Sequence, residues 1–121
     1  MVESKNQFIN NTVNSTLIHY DIANAFTLGA SSHYNSFIGN KVSRPDGWWR
    51  GFFLLGFPYG KANNNIFRDN DVSGFVYAFD IDFNNNIFEN NIVHDNSLSG
   101  FYLYGGDNNV IQNNLIYENG A

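Results

Sequence analysis

The apolar positions of this chain fall into columns. On the pattern Asn, any residue, Phe or Ile, two residues, Asn, any residue, Val or Ile, five copies begin at Asn6, Asn35, Asn65, Asn86 and Asn109. The first apolar column reads Phe8, Phe37, Phe67, Phe88, Ile111, the second Val13, Val42, Val72, Val93, Ile116. The Asn column between them reads Asn11, Asn40, Asn70, Asn91, Asn114. Residues two apart share a face of a β-strand, whereas a helix would need apolar residues three and four apart. The copies advance by 29, 30, 21 and 23 residues. Self-similarity at that period predicts a solenoid of short strands, in which each coil buries its apolar face only against its neighbours.

The asparagines decide which solenoid. Asn residues at one bend of successive coils can stack, each side-chain amide bonding the next coil, and so satisfy polar groups that the bend would otherwise bury unpaired. Lys41, Arg68, Asp71, Glu89 and Gln112 lie between the inward columns and are expected to face outward; Ile9, Ile38, Ile92 and Leu115 break that polar rule. The expected fold is therefore all-β: a single parallel β-helix domain over residues 1–121, about five coils starting near 6, 35, 65, 86 and 109, with strands about 4.8 Å apart. The first and last residues lie close to or within coils, where solenoids usually carry polar caps, so the chain reads as a fragment of a longer helix.

These in-phase Asn, Phe and Val columns resemble the right-handed parallel β-helix repeats of the pectin-lyase-like superfamily, especially the Asn-rich repeats of carbohydrate-binding and sugar-hydrolysis domains. The resemblance spans nearly the whole chain. It implies polysaccharide as the partner and an extracellular or cell-surface setting. Polysaccharide lyases, hydrolases and epimerases share the ladder with plain structural spikes. Their motifs do not carry over: the chain has no Asp-Pro-His-Asp run, and no set of Asn-Thr-Asp, Gly-His-Gly and Arg-Ile-Lys.

Composition narrows the partners. Hydrophobic residues make up 43% and aromatic residues 17%, enough for a core, while only 14% are charged; 22 Asn and 11 Gly stand where Lys and Glu usually do. A net charge of −5 offers no electrostatic footprint for nucleic acid or an anionic membrane, and leaves neutral glycans open. No apolar run reaches membrane-spanning length. Without cysteine there are no disulfides, thiolate metal sites or thiol nucleophiles.

Three places hold candidate chemistry. The segment Ser43-Arg44-Pro45-Asp46-Gly47-Trp48-Trp49-Arg50 departs from the repeat with turn chemistry and holds both tryptophans, so Trp48, Trp49 and Arg50 form either a sugar-stacking platform or a cover over the strand beneath. After Gly74 the chain alternates, with Phe75, Tyr77, Phe79, Ile81 and Phe83 expected inside and Asp80 and Asp82 side by side outside. Neighbouring carboxylates raise each other's proton affinity, as a general acid and its base require, or share a calcium ion through oxygen ligands; otherwise they are solvated surface. In the next coil Tyr102 and Tyr104 are expected to face outward above those carboxylates, as a sugar-binding pair or as a packing row. His94-Asp95 is adjacent in sequence, but strand neighbours point to opposite faces, and His19 and His33 have no partner set, so no His-based metal site is expected.

The expected function is polysaccharide binding or processing as part of a larger carbohydrate-active protein. The alternative is a structural or adhesive segment of a surface or phage-spike protein with no site. Ends that expose strand edges and core cross-section predict further coils or end-to-end self-association.

Overall fold

The computed structural model describes residues 5–14, 24–28, 32–44, 49–54 and 62–120. Of the candidate residues singled out above, His19 and Trp48 lie outside them. The described residues hold fourteen strands and no helix, arranged as three parallel sheets. Sheet 1 stacks β1 (Gln7–Ile9), β4 (Ser36–Ile38), β7 (Ile66–Arg68), β10 (Ile87–Glu89) and β13 (Val110–Gln112). Sheet 2 stacks β2 (Thr12–Asn14), β5 (Lys41–Ser43), β8 (Asp71–Ser73), β11 (Ile92–His94) and β14 (Leu115–Tyr117). Sheet 3 stacks β3 (Phe26–Leu28), β6 (Arg50–Leu54), β9 (Tyr77–Ile81) and β12 (Ser99–Leu103). Each coil contributes one strand to a sheet and pairs with the coils on either side, which is a parallel β-helix.

The repeat columns are the register. Phe8, Phe37, Phe67, Phe88 and Ile111 pair in order along sheet 1, and Val13, Val42, Val72, Val93 and Ile116 along sheet 2. The Phe rings stack face to face at 4.7, 5.0 and 4.8 Å. A second stack runs up sheet 3 through Phe26, Phe52, Phe79 and Phe101 at 4.9, 5.1 and 4.8 Å. The two stacks meet edge to face, Phe67 against both Phe52 and Phe79, so the positive edge of one ring lies on the negative face of the next.

The asparagines form the ladders that their spacing implies. Each ladder residue before the fifth coil donates its backbone N–H and its Nδ2–H to the Oδ1 of the Asn one coil further on: Asn40 to Asn70 at 3.0 Å for both bonds, Asn70 to Asn91 likewise. The second Nδ2–H reaches back to the preceding coil, from Asn70 to the Phe37 carbonyl and from Asn91 to that of Phe67. Asn65, Asn70, Asn86 and Asn91 are completely or almost completely buried, yet all of this polarity is paired. A third, shorter ladder joins Asn96 to Asn119, with the Phe75 N–H bonded to Asn96 Oδ1.

The residue before each ladder Asn from Asn11 onward has a left-handed backbone: Asn10, Gly39, Asp69, Asn90 and Asn113 at one corner, and Tyr34, Asn64, Asn85 and Asn108 at another. Asn pays little for that conformation because its short amide bonds locally. This explains the Asn-Asn doublets: the first residue turns the corner and the second builds the ladder.

Sheet 3 departs from simple alternation. Ala78 and Phe79 are both fully buried, and a Cβ added to Gly51 or Gly100, at the matching positions of β6 and β12, would stand 2.8 Å from Val72 or 2.9 Å from Val93. Two successive residues therefore face the core, the first small because it meets the valine column. This reverses the expectation for Tyr77, which stands on the outer side, half-buried, with its ring on Tyr102.

Candidate functional site

The outer side of sheet 3 gathers most of the candidate residues, because registers place Arg50 beside Tyr77 and Asp80 beside Tyr102. The Arg50 guanidinium reaches diagonally across one coil to bond the Asp80 carboxylate through Nε. That pair covers the acid: Asp80 is only 4% exposed, whereas the Arg50 side chain keeps about a quarter of its surface open. Burial holds Asp80 above the ordinary carboxylate range, the nearby charge of Asp82 adds to the rise, and the Arg50 hydrogen bond and charge oppose it. Asp80 is thus on the outer face, as its position in the strand implies, but shielded from solvent rather than displayed.

Asp82 is half-buried, and its Oδ1 would lie 2.9 Å from a Cβ placed on Gly105, so the carboxylate rests against glycine backbone. A side chain at Gly105 would displace it. The Tyr104 N–H bonds the Ile81 carbonyl at 3.0 Å, extending the β9–β12 pairing and bringing the open Tyr104 ring, 76% exposed, to the level of Asp82. Tyr102 is 39% exposed and lies on Tyr77 with centroids 4.7 Å apart and planes 29° apart. The aromatic row expected from Tyr102 and Tyr104 therefore begins one coil lower, at Tyr77, and Tyr104 is its free member. Trp49 is half-buried in a left-handed turn, and its carbonyl accepts the Val76 N–H at 2.7 Å, which ties the start of β6 to the coil above. Among the described residues, no group of three or more His, Asp or Glu is arranged to hold a metal ion.

A second polar cluster lies outside sheet 2. His94 Nε2 is 3.0 Å from Asp71 Oδ1 and Nδ1 is 2.7 Å from Asp95 Oδ2, while the ring stacks on Tyr117 at 5.1 Å with planes 2° apart. Sequence alternation sets His94 and Asp95 on opposite faces. They meet because Asp95 has left the strand, with φ 53° ahead of the ladder residue Asn96, and its side chain turns back. Asp71 could have been found from the columns, since it stands in register with Ile92, two residues before His94 on the same face. Outside sheet 1, Arg68 and Gln112 both bond Glu89, at 2.7 and 3.0 Å, and hold its carboxyl below the usual range, Gln112 having the larger effect.

The family model for the right-handed β-helix region matches residues 2–121, and the chain belongs to that family. Neither curated proteins nor solved structures yield a match. No helix among the described residues is long and apolar enough to cross a membrane.

Proposed function

We propose that this β-helix binds polysaccharide through the outer side of sheet 3, as a recognition domain of a larger, pectin-lyase-like carbohydrate-active protein at or outside the cell surface. The observation that carries the reading is the exposed Tyr104, which follows the Leu103–Ile81 register pair and so stands in line with Asp82, next to the Tyr102–Tyr77 stack. A tyrosine face takes the C–H side of a pyranose and a carboxylate takes its hydroxyls. Arg50 and Asp80 balance each other, which favours a neutral glycan over a polyanion. Binding is better supported than catalysis, because the acid candidate Asp80 is engaged by Arg50 and screened from solvent. Calcium bridging Asp82 to an acidic sugar is the variant of this reading in which a cation takes part.

A glycan array probed with the folded 121-residue chain tests it. Binding that is lost in Tyr104→Ala and Asp82→Asn supports the proposal; silence across neutral and acidic polysaccharides, with and without calcium, from protein shown to be folded overturns it.

One observation favours a second reading, a structural or adhesive solenoid. The ladder has a direction: among the described residues, the Oδ1 atoms of Asn6 and Asn11 accept no ladder bond and the N–H groups of Asn109 and Asn114 donate none. One end offers acceptors and the other donors, so two copies of this 121-residue chain are complementary head to tail. Light scattering over a concentration series separates the readings: mass that grows with concentration favours the structural one, and a monomer at all concentrations removes it.

A further inference from the structure

The cluster outside sheet 2 joins three successive coils, Asp71 in the third, His94 and Asp95 in the fourth and Tyr117 in the fifth. An imidazole has two ring nitrogens, and a neutral one carries a single proton. It can donate to one carboxylate and must then present a lone pair to the other. Only the imidazolium donates at both nitrogens. Both nitrogens of His94 meet carboxylate oxygens, so the geometry is that of the charged ring. The flat stacking on Tyr117 suits the same state, since a cation is drawn to the face of an aromatic ring.

We propose that His94 is a proton-operated clasp: as imidazolium it ties the fourth coil to the third through Asp71 and carries Tyr117 of the fifth, and on losing its proton it releases one of its two carboxylates.

The surroundings agree. Burial of the ring lowers the affinity of His94 for its proton, but the hydrogen bonds and charges of Asp95 and Asp71 together outweigh it, and the balance is a pKa above the ordinary histidine value. The groups facing the ring from the elements around it are Asp71 on β8, Asp95 in the turn after β11 and the Tyr117 phenol on β14. Lys41 stands in register with Asp71 one coil below, and Glu118 stands one residue beyond Tyr117. A folded-state pKa raised above the unfolded one gives stability that is whole below about pH 6.5 and is lost as pH rises through the folded value. The solenoid is therefore clasped in mildly acidic surroundings and loosened in alkaline ones.

The test follows the His94 ring protons by NMR through a pH titration and compares urea unfolding of the wild type with His94→Gln at each pH. Glutamine retains a hydrogen-bonding side chain but cannot take up the proton. The expected result is a His94 midpoint above that of an unfolded histidine, lowered in Asp71→Asn. The unfolding equilibrium constant of the wild type relative to His94→Gln should rise through that midpoint, at most about tenfold for each pH unit by which it lies above the unfolded value. An ordinary or depressed midpoint overturns the clasp. So does a raised midpoint with a pH-independent ratio of the two unfolding constants. Should His94→Gln fail to fold, Asp71→Asn replaces it in the same comparison, with a pH-dependent ratio again expected and a flat one again fatal.

Discussion

Asn70 donates both its backbone N–H and its Nδ2–H to a single atom, Oδ1 of Asn91, each at 3.0 Å, and both residues are buried. One amide thus serves as the acceptor for two donors, while its own nitrogen supplies bonds to Asn114 Oδ1 and the Phe67 carbonyl. Replacing Asn91 by Ala leaves the Asn70 N–H and the Phe67 carbonyl without these partners in a dry interior. Urea melts should show a loss of about 1–3 kcal/mol. Glu89→Ala, at the solvent side of the neighbouring strand, should leave the unfolding midpoint nearly in place.

Tyr34 turns its corner at φ 58°, where the other coils have Asn64, Asn85 and Asn108. A bulky side chain in a left-handed backbone costs about 1–2 kcal/mol, and Tyr34 is 48% exposed, so its ring recovers little by burial. Tyr34→Asn should recover part of that penalty and raise stability by about 1 kcal/mol, read as an upward shift of the thermal midpoint.

Gly51 has no room for a methyl group. An added Cβ would lie 2.7 Å from the Ala78 carbonyl oxygen and 2.8 Å from Val72, and the first of these is backbone. Gly51→Ala should therefore destabilise by about 1–3 kcal/mol through overpacking, the reverse of what a Gly-to-Ala change in an open strand would do. Chemical denaturation of the pair measures the sign.

Arg50 lowers the proton affinity of Asp80 while burial raises it. Arg50→Met removes the opposing influence, so Asp80 should titrate higher still. A carboxyl whose folded pKa is raised disfavours the folded state above that pKa and ceases to do so below about pH 3.8, where it is protonated folded or unfolded. The variant should lose about 2–3 kcal/mol at pH 7, and the gap from the wild type should close as pH falls through the Asp80 midpoint. A gap independent of pH would mean that the guanidinium contributes by packing alone.

The ladders and the inner columns were legible in the sequence because they repeat residue type at a fixed interval. In every coil the two ladder asparagines are five residues apart, so five copies reinforce one register. Sheet 3 was only half legible: its Phe column lies at a varying distance from the ladder, and strict alternation misplaced Tyr77, because nothing local announces that Ala78 and Phe79 both face inward. The Asp80–Arg50 pair spans 30 residues and depends on how two loops of different length bring β6 beside β9. His94 and Asp95 were set apart by the same alternation, which a left-handed residue cancels.

The fixed step from Asn to Asn and the variable path to sheet 3 divide the molecule into a constant frame and a variable flank. From the second ladder residue to the sheet 3 phenylalanine, the chain takes 15, 12, 9 and 10 residues in successive coils; from there to the next coil it takes 9, 13, 7 and 8. All the drift in coil length is confined to these two stretches. The turns between the strands of these stretches differ in length from coil to coil while the Asn and Val columns keep their register, so new side chains can be tried in those turns beside Tyr102 and Tyr104. A randomised library confined to those turns would inherit a fold held by the Asn, Phe and Val columns, and that makes the sheet 3 side of this protein the one best suited to acquiring new recognition.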